Sequence, residues 1–170
     1  MAKFLKLSGG NLTEDTSIST SAGAADVDKI PELDGSGRLD VTFMPVGIGA
    51  DTQSILAGES LSAGDFVNIY DDASTLKVRK ADASALGTHA NGYVLDAVTS
   101  GQQATVYFEG RNTSVTGLTI GLVYWLDDVT AGGLTTTAPT GAGVISQRIG
   151  KATGATSITT EIAQPIVQIA

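Results

Sequence analysis

His89 is the only histidine of the chain, and its side chain is the one best suited to act as a general base near neutral pH. A serine or threonine nucleophile would need such a base beside it. His89 lies in the sequence GTHANG, which predicts a loop, and no Gly-x-Ser-x-Gly motif accompanies it. A lone histidine in a loop is more often a surface residue or a turn partner. We therefore predict no catalytic residue and no enzyme activity.

A cation site is the next chemistry to consider, because the segment DGSGRLD at residues 34–40 is faintly similar to a calcium-binding loop. Asp34 and Ser36 offer oxygen atoms. The segment lacks an Asp or Asn two residues after Asp34 and the distal bidentate glutamate, and Arg38 would oppose a cation. We interpret it as a turn in which the Asp34 side chain bonds to nearby backbone.

Other candidate sites in the sequence are weaker. The chain has no cysteine, which excludes disulfides, thiolate metal sites and cysteine nucleophiles. The pairs Asp71/Asp72 and Asp127/Asp128 are adjacent in sequence, so their side chains diverge on strands or turns, although the two pairs could meet in space. GIGAD, from Gly47, has no strand before it and no helix after it, unlike a phosphate-binding loop. We predict no metal and no cofactor.

Composition points to β structure and limits the partners. The 170 residues include 21 glycines, and only 16% are charged, which is typical of turn-rich β proteins. A net charge of −8 argues against nucleic-acid binding, which requires a basic stripe. The basic residues Lys77, Arg79 and Lys80 are interpreted as one solvated strand face. No apolar run approaches the ~18 residues of a membrane span. The apolar part of the first ten residues, MAKFLKLSGG, is far shorter than that of a signal peptide, and no cleavage site follows it. We expect no membrane partner and no export by a signal peptide.

The stretch from Asn91 to Asp128 carries the clearest strand pattern. Side chains alternate in Gly92–Val98 and in Ala104–Glu109, and a third strand begins at Val123. This pattern predicts a β-meander at the centre of the domain. The core candidates are Tyr93, Leu95, Val106, Phe108, Tyr124 and Leu126, with Trp125 either in the core or on the surface.

Further alternating runs flank this stretch. The sequence predicts a hairpin of strands at Asp65–Tyr70 and Leu76–Ala81, and a strand at Val144–Ala152 with a bulge at Gly150. One or two last strands are predicted at Ser157–Ile162 and Pro165–Ile169. About eight short antiparallel strands therefore lie in residues 55–170. We predict an all-β fold, a compact β-sandwich or β-barrel, preceded by an extended N-terminal arm at residues 1–54.

The predicted arm has spaced apolar residues that could not enclose a core of their own. Lys3–Leu7 could form one short strand, Thr13–Thr20 another or none, and Ala22–Ile30 one helical turn. We interpret residues 1–54 as an arm that orders on binding a partner. A flexible linker without a specific partner is the alternative. The predicted partner-binding residues are Phe4, Leu5, Ile30, Pro31, Leu33, Leu39, Val41, Phe43 and Met44.

Two stretches resemble a known class of proteins. Lys29–Pro45, KIPELDGSGRLDVTFMP, resembles a segment of tailed-bacteriophage virion proteins, with a proline and a leucine near its start, Gly-Arg-Leu-Asp in its middle and Phe-Met-Pro at its end. Leu61–Leu126, with SLSAGDFVNIY, NGYVLDAVTSGQQATVYFEG and LTIGLVYWL, is similar to small β domains of phage structural proteins. Capsid cement, or decoration, proteins and some tail-fibre modules carry such domains. The resemblance covers roughly two thirds of the chain.

This resemblance implies a non-enzymatic virion protein, most like a capsid cement protein. Such a protein would bind the outer surface of the assembled head, bridge major capsid protein subunits and stabilise the shell, commonly as a homotrimer. It would be made in the host cytoplasm and reside on the capsid. Two alternatives stay open: a tail-fibre, spike or baseplate module that binds a receptor or glycan, and a carbohydrate-binding or hydrolytic β domain.

Overall fold

Alternating side chains and frequent glycine turns produce an all-β structure, as predicted. The computed structural model describes residues 2–44 and 49–168. The chain divides into two compact units, residues 1–49 and residues 50–170. The described strands are β1 Lys3–Ser8, β2 Asn11–Thr16, β3 Thr52–Ala57, β4 Phe66–Asp72, β5 Thr75–Lys80, β6 Gly92–Val94, β7 Gln103–Tyr107, β8 Arg111–Asn112, β9 Val123–Leu126, β10 Leu134–Thr135, β11 Ile145–Ser146, β12 Arg148–Gly154, β13 Ser157–Thr160 and β14 Ile166–Val167.

The N-terminal unit consists of a hairpin followed by turns. Strands β1 and β2 pair antiparallel, and Gly9 and Gly10 connect them with φ of 57° and 84°, a conformation that favours glycine. Two short 3₁₀ helices follow at Gly23–Asp26 and Val41–Phe43. The predicted strand at residues 3–7 is confirmed, and the structure adds its pairing with β2. The segment predicted as an arm thus has hydrogen-bonded structure of its own.

The second unit begins with a small closed barrel in the strand order β3-β5-β4-β6-β7. Its strand pairs are antiparallel except β3 and β5, where Leu56 lies beside Lys77 in a parallel pair. Thr52–Ser54 already pair with β7, so the barrel starts three residues before the predicted boundary. The buried residues inside the barrel are Ile55, Ala57, Leu61, Val67, Val78, Val94, Ala104 and Val106.

A five-stranded sheet in the order β10-β9-β12-β13-β8, together with a two-stranded sheet of β11 and β14, forms the rest of this unit. Phe66 and Tyr93, from two barrel strands, belong to the cluster that also contains Leu126 and Ile158 of the sheet. Alternation explains this arrangement, because Val67, next to Phe66, faces the barrel interior instead. Two adjoining apolar clusters therefore hold the second unit together.

The prediction of a β-meander over Asn91–Asp128 is wrong. Strands β6 and β7 pair as expected, but β7 pairs on its other side with β3, and β9 pairs with β10 and β12. Strand β6 also ends at Val94, and Val98 instead forms an isolated bridge with Leu61. Gly110, with φ of 111°, lies where the chain leaves the barrel for the sheet. Local alternation identifies strands and does not determine their partners.

The strand count also differs from the prediction. The described residues of the second unit hold twelve strands and not about eight, because several two-residue strands are too short to show a period. The bulge at Gly150 is confirmed by a register shift between Arg148 and Gly150. The predicted last strand reached Ile169, which lies outside the described residues; β14 ends at Val167.

The predicted core residues lie in or against the two clusters. Tyr93, Val106, Tyr124 and Leu126 are buried. Leu95 and Phe108 are partly buried and pack against the clusters. Trp125, left open by the sequence, is half-buried on β9, opposite Thr135 and Arg148.

Candidate docking surface of the N-terminal unit

The N-terminal unit lacks a hydrophobic core within residues 2–44. Its only buried residue there is Ser17, and every buried apolar side chain of the described chain lies at or after Ile55. Its large apolar residues instead face solvent. The exposed members are Leu5, Leu7, Leu12, Val27, Ile30, Leu33, Leu39, Val41 and Met44. Exposed apolar groups in such a number make this surface a candidate for docking.

Three of these residues form a continuous patch on the hairpin. Leu5 and Leu7 are two positions apart on β1 and therefore lie on the same face. Leu12 lies directly opposite Leu7 in the β1–β2 register, which places it on that face too. Their exposures are 69%, 71% and 74%. We call this patch of Leu5, Leu7 and Leu12 the leucine face.

Most of the predicted partner-binding residues lie on the surface. Exposed are Leu5, Ile30, Pro31, Leu33, Leu39, Val41 and Met44. Phe4 and Phe43 are half-buried, and Phe4, which follows Lys3 and precedes Leu5, lies on the hairpin side opposite to the leucine face. The structure places only Leu5 of the predicted set on the leucine face. Binding by these residues stays a prediction.

Sequence reasoning missed Leu7 and Leu12. The signal was present, since Leu5 and Leu7 alternate with Phe4 and Lys6, and the Gly9–Gly10 pair that follows predicts a hairpin turn. Pairing β1 with a strand after that turn would have brought Leu12 beside Leu7.

Polar contacts centred on one carboxylate hold the hairpin to the following segment. Asp15 Oδ1 accepts a hydrogen bond from Lys29 Nζ at 2.7 Å, and Asp15 Oδ2 lies 2.7 Å from Lys6 Nζ. The backbone N–H of Thr16 also donates to Asp15 Oδ1 at 2.8 Å. Hydrogen bonds from Lys29 and Lys6 hold the pKa of Asp15 well below its usual range. The hydrogen bond to Asp15 raises the pKa of Lys6, and the negative charge of Asp28 raises it further.

A second carboxylate ties the start of the chain to the same segment. Glu32 accepts hydrogen bonds from the Ser17 hydroxyl and from the backbone N–H of Ala2, the latter at 2.7 Å. These bonds, led by that from Ser17, lower the pKa of Glu32. The backbone of Ile18 bonds to Ile30 and Glu32, which continues this connection. Hydrogen bonds and ion pairs thus take the place that apolar packing has in the second unit.

The turn interpreted from Asp34 is confirmed. Asp34 Oδ1 accepts hydrogen bonds from the backbone N–H groups of Ser36 and Arg38 at 2.8 and 2.9 Å. Across the described residues, no three His, Cys, Asp or Glu side chains come together in a way that could hold a metal ion. His89 is half-buried in its loop, and its backbone carbonyl accepts a hydrogen bond from Asn68.

Neither a known protein-family model nor any of the curated proteins matches this chain. Within residues 2–44 and 49–168, no helix has the length and apolar character needed to cross a membrane.

Proposed function

We propose that this chain is a non-enzymatic capsid cement protein of a tailed bacteriophage. It docks on the outside of the assembled head through its N-terminal unit, bridges major capsid protein subunits and stabilises the shell, as a homotrimer. The observation that carries the proposal is the exposed apolar surface of a unit whose described residues enclose no core. The resemblance of residues 29–45 and 61–126 to phage virion proteins supplies the kind of partner.

The leucine face is the first contact that the proposal assigns to the capsid. Burying a leucine side chain contributes about 1.5–3 kcal/mol, so three leucines together could supply much of the affinity of one arm. A flat hairpin face also suits an apolar surface better than a deep pocket, because its side chains stand in one plane. In a trimer, three such arms would raise retention through effective concentration alone.

Binding to purified, expanded heads of the phage that carries this chain tests the docking surface. The double variant Leu7→Ser/Leu12→Ser should lower the association constant at least tenfold, since it removes two exposed apolar side chains. Val129→Ser is the matched control, because Val129 is exposed in the second unit. Equal binding of the double variant and the control would reject the leucine face as a contact.

Immunogold labelling of intact virions tests the location. Label on the head walls supports the proposal, and label confined to the tail would replace it with the tail-fibre, spike or baseplate alternative. Light scattering on the isolated protein tests the trimer separately, because a monomer at micromolar concentration would contradict a preformed homotrimer and leave capsid docking intact.

A further inference from the structure

Arg79 on β5 is held in place by three groups, and none of them is acidic. Its Nε donates a hydrogen bond to Asn68 Oδ1 at 3.0 Å, and its Nη2 donates to the carbonyl of Gly87 at 3.4 Å. Its guanidinium carbon lies 4.5 Å from the centre of the Tyr70 ring. In the described part of the chain, no carboxylate oxygen lies within 4.0 Å of its nitrogens.

Two of the groups that hold Arg79, Asn68 and Tyr70, are themselves held in place. Asn68 is 1% exposed, and its amide nitrogen donates to the carbonyl of His89 at 2.8 Å. The Tyr70 hydroxyl occupies the space beside Gly58, where any Cβ would overlap it. The guanidinium is therefore oriented before any partner arrives, which lowers the entropy lost on binding.

The neighbouring basic residues differ from Arg79. Lys77 Nζ lies 2.6 Å from Asp72 Oδ2, and Lys80 Nζ lies 3.6 Å from Asp65 Oδ2. The cluster Lys77, Arg79 and Lys80 is therefore not one solvated face: two of its charges have acidic partners, and that of Arg79 has none among the described residues. In a chain with a net charge of −8, a fixed and uncompensated guanidinium is a local site for an acidic group.

We propose that Arg79 and Tyr70 form a docking site on the barrel for an aspartate or glutamate side chain of a protein partner. The two hydrogen bonds use two of the five N–H donors of the guanidinium. The other three have no hydrogen-bond partner among the described residues, and Arg79 is only half-buried, so a carboxylate could accept from them. Leu86, 61% exposed, immediately precedes Gly87 and would be covered by the same partner. A single cation beside an apolar side chain suits a protein carboxylate better than a phosphate backbone, which needs a basic stripe.

This site is chemically distinct from the leucine face and does not depend on it. It gives the second unit a contact of its own, based mainly on the charge of Arg79. Loss of the Arg79 contact would leave docking through the N-terminal unit unaffected, so the two proposals can fail separately.

The test uses the full chain labelled with ¹⁵N and follows the Nε–Hε signals of its four arginines, Arg38, Arg79, Arg111 and Arg148. Sodium acetate, which presents the same carboxylate, is titrated against sodium chloride at constant ionic strength. We expect a saturable shift at Arg79 and only small, linear shifts at Arg38 and at Arg148, whose guanidinium already pairs with Glu161 at 2.7 Å. Equal linear shifts at all four arginines would overturn the proposal.

Two variants and a second anion sharpen the result. Arg79→Lys keeps the charge and loses the planar fork, so acetate affinity measured at neighbouring amides should fall roughly tenfold, the value of one charge-assisted hydrogen bond. Tyr70→Leu removes the ring beside the guanidinium and should lower the acetate affinity about two- to fivefold. Thermal melting followed by the single tryptophan checks that each variant folds, and the comparison among wild-type arginines needs no variant. A saturable shift with inorganic phosphate and none with acetate would reject a protein carboxylate and favour a phosphate ligand.

Discussion

Asp15 and Lys29 form an ion pair at 2.7 Å that joins the hairpin of the N-terminal unit to the segment after its first 3₁₀ helix. Lys6 lies at the same distance from the other oxygen of Asp15. Residues 2–44 contribute no side chain to a hydrophobic core, so we expect these ion pairs to supply a large part of the stability of the N-terminal unit.

Acid should disorder the N-terminal unit before the second unit. The folded state lowers the pKa of Asp15, so the stability from this group is fully present above the ordinary aspartate pKa of about 4 and is lost as the pH falls below it. The folded state also lowers the pKa of Glu32, so the stability from Glu32 is likewise lost as the pH falls. Lys6 has a raised pKa, so its contribution is present below the ordinary lysine pKa and is lost only in strong alkali. Leucine methyl signals of the hairpin should therefore collapse below pH 4 while the fluorescence of Trp125 still reports a folded second unit. Simultaneous loss of both signals would contradict the prediction.

Replacing Asp15 by Asn should disorder the hairpin at neutral pH and remove most of the acid dependence. The amide keeps the size of the side chain and loses the charge that two lysines share. Amide hydrogen exchange on β1 and β2 should become faster at pH 7. Asp71→Asn is the control, because Asp71 is an exposed aspartate on β4 of the second unit. Unchanged exchange in Asp15→Asn would show that the ion pairs contribute little.

Truncation of Leu126 and of its neighbour Trp125 on β9 should lower the free energy of unfolding by different amounts. Leu126 is completely buried in the cluster that contains Phe66 and Tyr93, so Leu126→Ala should lower the free energy of unfolding by roughly 2–5 kcal/mol. Trp125 is half-buried on the opposite face of the strand, so Trp125→Ala should cost less. Urea unfolding followed by far-ultraviolet circular dichroism measures both. A greater loss for Trp125→Ala would mean that the indole has a larger packing role than its exposure indicates.

The sequence predicted the positions of strands in the second unit better than it predicted which strands pair. Alternation located β4, β5, β7 and β9, because one face of each strand is buried. It failed at β8, which has only two residues, and it did not separate β11 from β12 within the predicted strand at residues 144–152. It also failed at the parallel pairing of β3 with β5, because pairing between distant strands leaves no local period.

The docking surface was predictable only in part. Exposed apolar residues such as Leu33 and Val41 stand out among the turn residues around them. The leucine face required knowledge that Leu7 and Leu12 lie opposite each other across the Gly9–Gly10 turn. The Arg79 site could not be predicted, because Asn68, Tyr70 and Gly87 reach it from a neighbouring strand and a loop.

Gly150 offers a test of the bulge in β12. A Cβ at this position would overlap the backbone carbonyl oxygen of Thr159 on β13, and a backbone atom in a sheet cannot move aside as a side chain can. Gly150 lies where β12 pairs with both β9 and β13, so a shift would disturb the ladders on both sides. Gly150→Ala should therefore destabilise the second unit by about 1–3 kcal/mol or more.

The neighbouring variant Lys151→Ala is the control for Gly150→Ala, because Lys151 is exposed on the same strand and its truncation adds no atom to the sheet. Thermal melting followed by circular dichroism should show a lower midpoint for Gly150→Ala and a change of at most about 0.5 kcal/mol for Lys151→Ala. Because the bulge holds the 148–150 segment in register with Trp125 and Tyr124, the indole fluorescence of Gly150→Ala should also change in the folded state. Equal midpoints for the two variants would contradict the prediction. They would mean that β12 and β13 can separate locally at little cost, and that the five-stranded sheet keeps its register without a glycine at position 150.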